Sequence, residues 1–270
     1  AGSKTLLNAY FDTADRWFRR HDSGLRTRQK QGQFEQTLKL AGQQHGAAHI
    51  RPEYNVPVGG VTPVLSAFPP EVWPAGTDVT ALQQQLIELF RTDFARDTLL
   101  LQTQAGARIE LVFDQGFVAG GGSEEPICEL ELELQAGAVS EIFTLCAQLL
   151  QRFPLMLGVQ SKAERGYLLA QQTPLCWQEF SPADSTADLL SKFLRNQLLV
   201  SRQLATDSQL LSQWLQWQSR LETEPAAAVL FQSAEVLGPQ PAAQALQLWL
   251  LQYSIWLLDP ATLNSHVLTA

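Results

Sequence analysis

The stretch Ile127-Cys128-Glu129-Leu130-Glu131-Leu132-Glu133-Leu134 decides how we interpret this sequence, because acidic and aliphatic side chains alternate in it without interruption. Successive side chains of a β-strand point to opposite faces of a sheet. A strand here places Glu129, Glu131 and Glu133 on one face and the leucines on the other. One interpretation of this row is a solvated acidic sheet face, and the other is a site in which cations face the carboxylates.

The composition is that of an ordinary globular protein, with 270 residues and 45% hydrophobic content, enough for one or two packed domains. The longest apolar stretch, 246–258, is interrupted by polar residues and is shorter than the ~20 residues of a membrane-spanning helix. We recognise no signal peptide, and the three cysteines show no metal-ligand spacing. These features predict a cytoplasmic protein with reduced thiols and no membrane partner.

The charge is unevenly distributed. A net charge of -8 argues against a nucleic-acid partner. Residues 1–60, however, carry nine lysines and arginines against five acidic residues, whereas the remainder is strongly acidic. A basic segment combined with an acidic strand favours a site that holds a polyanion together with metal ions.

Alternation of apolar and polar residues predicts further strands, each with charges on one face and apolar side chains on the other. These strands are 6–12, 25–29, 34–40, 50–58, 94–102 and 108–114, and residues 30–33 connect the second and third in a hairpin. Closed into a barrel, the charged faces would line a polar tunnel. Buried charges persist there only if they balance one another or hold ligands.

Helical spacing of apolar residues predicts helices at 79–91 and 141–153. Residues 161–167 form a short basic element after these helices. The composition then changes after Pro174. Beyond that point the sequence predicts a helical bundle, with helices at 184–205, 207–221, 226–237 and 241–258. Apolar stripes of this kind are far more often core than a binding surface, so we expect packing.

Several motifs together resemble the CYTH, or triphosphate tunnel metalloenzyme, family over residues 5–172. They are Tyr10-Phe11-Asp12-Thr13, Leu25-Arg26-Thr27-Arg28, Thr37-Leu38-Lys39, Arg51-Pro52-Glu53, Glu129-x-Glu131-x-Glu133 and Lys162-x-x-Arg165-Gly166-Tyr167. Within the family, the chain most resembles bacterial inorganic triphosphatases in which a CYTH domain precedes a helical CHAD-type domain. The resemblance implies an α+β fold: an antiparallel β-barrel (the triphosphate tunnel) with flanking helices at 1–175, followed by a small CHAD-like α-helical bundle at 176–270.

The resemblance also implies an activity, the hydrolysis of inorganic triphosphate to pyrophosphate and phosphate with Mg²⁺ or Mn²⁺. Its implied substrate-binding residues are Arg26, Arg28, Lys39, Arg51 and Arg96, and its implied catalytic residues are Lys162 and Arg165. The implied metal ligands are Glu129, Glu131 and Glu133. Three further acids are either ligands or counter-ions of the arginines: Glu53, Glu110 and Asp114.

One family motif, a first strand with Glu-x-Glu-x-Lys, is absent before Leu6. Truncation is one explanation, and a degenerate paralogue that only binds a polyphosphate or nucleotide is the other. In either case we expect little hydrolysis by the chain as given. Thiamine triphosphatases and class IV adenylate cyclases share the tunnel, but the helical extension favours inorganic triphosphate. That extension has few basic residues, which argues against polyphosphate binding by the helices, and its bundle is expected to be incomplete at Ala270. The sequence leaves the oligomeric state open.

Overall fold

The computed structural model describes residues 2–45 and 48–202, together with the single residues 212, 213, 216 and 251. In this part of the chain nine β-strands are combined with five α-helices. The strands are β1 (Ser3–Asp12), β2 (Gly24–Lys30), β3 (Gln33–Lys39), β4 (Gln43–His45), β5 (Ala48–Ile50), β6 (Glu53–Val58), β7 (Ile87–Gln102), β8 (Arg108–Gly120) and β9 (Ser123–Ala136). The helices are α1 (Trp17–Arg20), α2 (Val79–Gln84), α3 (Ser140–Arg152), α4 (Lys162–Ala170) and α5 (Thr186–Ser201), and 3-10 turns lie at Leu65–Ala67 and Pro70–Val72.

Seven strands form one antiparallel sheet in the order β6-β3-β2-β1-β7-β8-β9, while β4 and β5 form a separate two-stranded sheet. The predicted antiparallel sheet with flanking helices is therefore confirmed. The predicted closure into a barrel is not, because β6 and β9 are the edge strands and no ladder joins them within the described residues. Closure requires hydrogen bonds between the two edges. The sheet is open.

Both faces of the large sheet bury apolar side chains. One core lies between the first strands, the helices α1 and α2 and the two 3-10 turns; its buried members are Ala9, Phe11, Phe18, Leu25, Leu38, Leu65, Phe68, Val72 and Leu82. The other core lies where α4 covers the opposite face; its buried members are Leu6, Tyr10, Phe90, Phe94, Val118, Ile127 and Tyr167. This second face also carries the charged residues. Apolar side chains under α4 therefore share this face with the charges.

Two predicted elements need correction. The helix predicted at 79–91 ends at Gln84, and residues from Ile87 onward belong to β7. There the chain pairs with β1, so that Phe90 lies opposite Tyr10; the ladder to a distant strand outweighs the local helical spacing. The hairpin between β2 and β3 has a two-residue connection, Gln31-Gly32, rather than four residues. Both residues have positive φ (52° and 80°), as tight hairpin turns require.

The chain divides into two compact units, and the large sheet with α4 belongs to residues 1–43, 50–136 and 161–174. The second unit contains α3 and α5. Helix α3 confirms the helix predicted at 141–153, and α5, capped by a reciprocal Ser185–Asp188 box, lies within the helix predicted at 184–205. The predicted helices at 207–221, 226–237 and 241–258 lie outside the described residues. The division at 175/176, the helical bundle and its CHAD-like character stay predictions.

Within the described ranges, no helix has both the length and the apolar character that crossing a membrane requires.

Candidate functional site

Helix α4 brings two cations onto the charged face of the sheet. The Ser161 hydroxyl caps the helix by accepting a hydrogen bond from a backbone N–H of the first turn (3.1 Å). Gly166 permits close approach to the sheet, since a Cβ at this position would overlap the ring of Phe90. Lys162 and Arg165 are three residues apart and thus on one side of α4, and their side chains are only 8% and 6% exposed. The helix therefore positions two buried cations.

Three carboxylates of β8 and β9, those of Asp114, Glu129 and Glu131, lie on this face, and we call them the acidic half of the site. Asp114 lies opposite Glu129 across the ladder, and one oxygen from each of the three carboxylates lies within 4.8 Å of the others. The guanidinium of Arg96 on β7 donates to Asp114 through Nε (2.7 Å) and Nη2 (2.6 Å), and Nη2 also donates to Glu131 (2.8 Å). Asp114 is completely buried, whereas the side chain of Glu131 is 47% exposed.

The ammonium of Lys162 lies among the same three carboxylates. Its Nζ is 2.7 Å from Asp114 and 2.9 Å from Glu131, and it also binds Glu129. An ammonium has three N–H donors, so each carboxylate is matched by one. The ring of Phe94 lies beneath, with its centroid 5.1 Å from Nζ. A single side chain from α4 thus connects all three carboxylates of the acidic half.

The guanidinium of Arg165 completes the neutralisation. It donates to Glu129 (3.3 Å) and Glu125 (3.0 Å), and also binds the backbone carbonyl of Pro126. Three cations, those of Arg96, Lys162 and Arg165, therefore face the three carboxylates of the acidic half.

The pKa values report this mutual stabilisation. Burial acts to lower the pKa of Lys162, but the charges of Glu131, Glu129 and Asp114 raise it to about 12. The surrounding protein disfavours ionised Glu131, but the charges of Lys162 and then Arg96 lower its pKa to about 2. Arg96 has its pKa raised in the same way: burial opposes the charge, and the hydrogen bonds and charges of Asp114 and Glu131 prevail. All of these groups are ions at neutral pH.

Two guanidiniums of β2, those of Arg26 and Arg28, lie on the same face, and we call them the basic half. Arg26 lies opposite Tyr10 and Arg28 opposite Asn8, whose Oδ1 accepts a hydrogen bond from Nε of Arg28 (2.8 Å). Nε of Arg26 is buried and has no hydrogen-bond partner. Across the described residues neither guanidinium forms an ion pair with a carboxylate. No direct ion pair within the described residues therefore neutralises the basic half.

The pKa values in the basic half reflect burial and the mutual repulsion of the arginines. Burial lowers the pKa of Arg28 to about 10, and the charges of Arg26 and Arg96 act in the same direction, whereas Tyr10 and Glu35 act against it. Burial acts to raise the pKa of the Tyr10 phenol, but the charges of Arg26 and Arg28 outweigh it and lower that pKa below its ordinary value. A multiply charged anion would relieve this repulsion through charge-assisted hydrogen bonds.

The acidic half provides the donor set of a divalent-metal site. Its carboxylate oxygens are the hard ligands that Mg²⁺ and Mn²⁺ prefer, so the residues fit such an ion. The group contains two of the predicted ligands, Glu129 and Glu131, and adds Asp114, which the sequence left as a ligand or a counter-ion. The third predicted ligand, Glu133, lies two residues further along β9, opposite Glu110. Its metal role, and the counter-ion role of Glu110, stay predictions.

The remaining predicted residues lie at the other edge of the sheet. Lys39 of β3 pairs with Glu53 of β6, not with an arginine. The substrate-binding role of Lys39 and the ligand or counter-ion role of Glu53 stay predictions. The guanidinium of Arg51 donates to the backbone carbonyl of Leu40 (2.8 Å) and to that of Asp22. Arg51 therefore contacts backbone rather than the basic half, and its phosphate-binding role stays a prediction.

The sequence assigned no site role to Asn8 or to Tyr10, although Tyr10 belongs to one of the family motifs; both lie on β1, between the basic half and β7. Asn8 accepts from Arg28 and donates through Nδ2 to Thr92 (3.0 Å), whereas Tyr10 stacks on Phe90 with ring centroids 4.5 Å apart. The available signal was their period-two spacing on β1. This spacing could not place the two residues next to Arg26 and Arg28, because the sequence does not show that β1 pairs with β2.

Several known proteins are similar to this chain. A family model for the CYTH domain matches residues 1–167. An inorganic triphosphatase from Haemophilus influenzae is 34% identical over 201 residues, which cover 70% of this chain and 54% of that protein. The chain therefore spans about half the length of this curated relative. Among solved structures, a candidate adenylate cyclase from Bacillus halodurans is 22% identical, with a TM-score of 0.41 over 60% of this chain and 82% of its own. HpAC1 from Hippeastrum, a candidate adenylyl cyclase with a dominant triphosphatase activity, is 15% identical, with a TM-score of 0.44 over 65% and 85%.

Proposed function

This chain belongs to the CYTH domain family, and on that premise we propose that it acts as a divalent-metal-dependent triphosphatase that hydrolyses inorganic triphosphate to pyrophosphate and phosphate. The similarity to the Haemophilus influenzae inorganic triphosphatase supports the choice of substrate. The observation that carries the proposal is that one sheet face presents both a basic half without counter-ions and a group of three carboxylates.

The basic half would bind the triphosphate. A guanidinium offers a planar fork of N–H donors that matches phosphoryl oxygens. Arg26 and Arg28 point such donors onto the face, and Asn8 orients Arg28 through its Nε. Because neither arginine forms an ion pair with a carboxylate within the described residues, a bound polyanion would provide directly paired negative charge.

The acidic half would hold Mg²⁺ or Mn²⁺ through Asp114, Glu129 and Glu131. When bound, the ion would neutralise charge on the phosphoryl oxygens and make a coordinated water more acidic. Arg96 holds two of these carboxylates through three hydrogen bonds. We assign it a positioning role for them in preference to the substrate-binding role that the sequence suggested.

Lys162 and Arg165 would supply further positive charge from α4. Phosphoryl transfer depends mainly on positioning and on stabilising charge on the transferred group. Both cations are buried at the acidic half, next to the position where that charge would develop. Their catalytic role is a part of the proposal that substitution can test.

The test is phosphate release from tripolyphosphate by the full-length protein, with Mg²⁺, with Mn²⁺ and with excess chelator. We expect turnover only with metal, and we expect Arg28→Ala to lower kcat/KM by about 10²-fold, as the loss of one charge-stabilising donor does elsewhere. Arg20→Ala is the matched control, because this arginine pairs with Asp15 on the protein surface. Equal turnover in chelator, or equal losses in the two variants, would contradict the proposal.

The same experiment separates the alternatives. Binding of tripolyphosphate without phosphate release would support a non-catalytic polyphosphate- or nucleotide-binding module. Faster turnover of thiamine triphosphate or cyclisation of ATP would assign a different substrate to the same face. A cytoplasmic location stays our prediction; Cys128, Cys146 and Cys176 form no disulfide with one another.

A further inference from the structure

Every oxygen of the acidic half already accepts a hydrogen bond from a cation. Arg96 donates to both oxygens of Asp114 and to one of Glu131, and Arg165 donates to one of Glu129. Lys162 binds the remaining oxygens of the two glutamates and shares Oδ2 of Asp114 with Arg96. An incoming cation therefore has to compete with a cation of the protein.

We propose that Lys162 is a resident cation of the metal site, which a divalent ion must displace and which then transfers to the bound polyanion. Lys162 is the contact that converges on all three carboxylates. Its ammonium is a compact charge on a flexible stem with three rotatable donors, so it can exchange partners without moving the helix. The inference rests on the proposed function for the identity of the polyanion.

The other two cations are held more firmly. Arg96 binds Asp114 through two parallel N–H groups, the geometry in which guanidinium–carboxylate pairs are strongest. Arg165 is held by Glu125 and by the carbonyl of Pro126 in addition to Glu129. Arg165 would keep its bonds to Glu125 and to Pro126 if the acidic half were lost. Arg96 and Lys162 have their bonds at the acidic half, but Arg96 is fixed there by the paired N–H groups, whereas Lys162 is held by single bonds to three separate carboxylates. Lys162 is thus the cation that leaves.

Charge balance couples the displacement of Lys162 from the carboxylates to the binding of the polyanion. The three carboxylates of the acidic half face three cations, one of which, Arg165, also pairs with Glu125, and the basic half adds two guanidiniums that form no ion pair within the described residues. A divalent ion entering alone would leave the displaced ammonium without an anionic partner beside two unpaired guanidiniums, and unit charges this close interact strongly even in a partly solvated site. A triphosphate supplies the compensating negative charge and accepts the displaced ammonium. The site should therefore bind metal weakly by itself and much more tightly with the anion, and the coupling is reciprocal.

The test is equilibrium binding of Mn²⁺ alone to the full-length protein, followed through the electron paramagnetic resonance signal of free Mn²⁺ in buffer without phosphate. We expect Lys162→Met and Lys162→Gln to bind Mn²⁺ at least about tenfold more tightly than the wild type. Lys192→Met is the control, since Lys192 pairs with Asp184 (2.7 Å) in the second unit and its loss removes the same charge. Lys162→Arg keeps a cation at the site and should bind Mn²⁺ as weakly as the wild type.

Unchanged or weaker Mn²⁺ affinity in both neutral variants would overturn the inference, as would an equal gain in Lys192→Met. If Lys162→Met does not fold, Lys162→Gln retains a hydrogen-bond donor and gives the decisive measurement. Should neither fold in buffer alone, Mn²⁺ titrated into the refolding buffer should restore their circular dichroism, and a failure to do so would equally overturn it. The neutral Lys162 variants could bind Mn²⁺ more tightly while the wild type hydrolyses no triphosphate. That result would refute the proposed function and leave this inference standing.

Discussion

The acidic and basic halves share one face of one sheet but differ in how their charges are neutralised. In the acidic half each carboxylate oxygen accepts a hydrogen bond from a cation, and Asp114 is completely buried. In the basic half Arg26 and Arg28 form no ion pair with a carboxylate in the described part of the chain. A paired buried ion stabilises the fold only while its partners remain. The comparison separates charges that maintain the structure from charges that are left for a ligand.

The largest effect should come from breaking the acidic half at its buried centre. Asp114→Asn should lower the free energy of unfolding by about 3–5 kcal/mol, because Arg96 and Lys162 keep their charges after their buried partner loses its own. Urea-induced unfolding in excess chelator measures the change. Asp15→Asn is the control, since Asp15 pairs with Arg20 where both side chains are mostly exposed. We expect no measurable change there, and similar losses in both variants would remove the distinction between buried and surface pairs.

A smaller effect should follow from moving α4, which serves the acidic half and not the basic half. Gly166→Ala should cost about 1–3 kcal/mol of unfolding free energy, because the new methyl group would overlap the ring of Phe90. Gly59→Ala is the matched control, since a Cβ there meets no atom within 4 Å. The double variant Gly166→Ala/Phe90→Leu should recover part of the loss in a double-mutant cycle. Strictly additive losses would show that the two residues do not clash.

The smallest effect on stability should come from the basic half itself. Arg26→Met should change the unfolding free energy by less than about 1 kcal/mol, and toward greater stability, because it removes a buried guanidinium nitrogen without a partner. The same substitution should reduce the rise in Tm that tripolyphosphate produces. Arg96→Met provides the contrast, since it breaks the bonds to Asp114 and Glu131 and should destabilise. If Arg26→Met destabilised as much as Arg96→Met, the basic half would be neutralised within the protein after all.

Local patterns predicted what depends on local geometry. The alternation from Ile127 to Leu134 placed three glutamates on one face, and the register with β8 confirms that face. The period of an amphipathic helix located α3 to within a residue at each end. Both successes follow from side-chain periodicity, which is fixed by the backbone of a single element. The wrong prediction of a helix at Ile87–Arg91 also comes from relying on periodicity alone. A short apolar segment fits the spacing of a helix or of a strand until its pairing partner is known.

The sequence by itself determined which side chains share a face of a strand, and therefore that cations and carboxylates would meet on one face of an antiparallel sheet. Only the tertiary structure decided which of them neutralise one another. Arg96, predicted to bind phosphate, is paired with Asp114 on the neighbouring strand, while Lys162 reaches three carboxylates more than thirty residues away in sequence. Such pairing depends on strand order and on how closely a helix approaches the sheet, which Gly166 sets against Phe90. Neither is encoded in the periodicity of one element, so the separation into an acidic half and a basic half appears only in the fold.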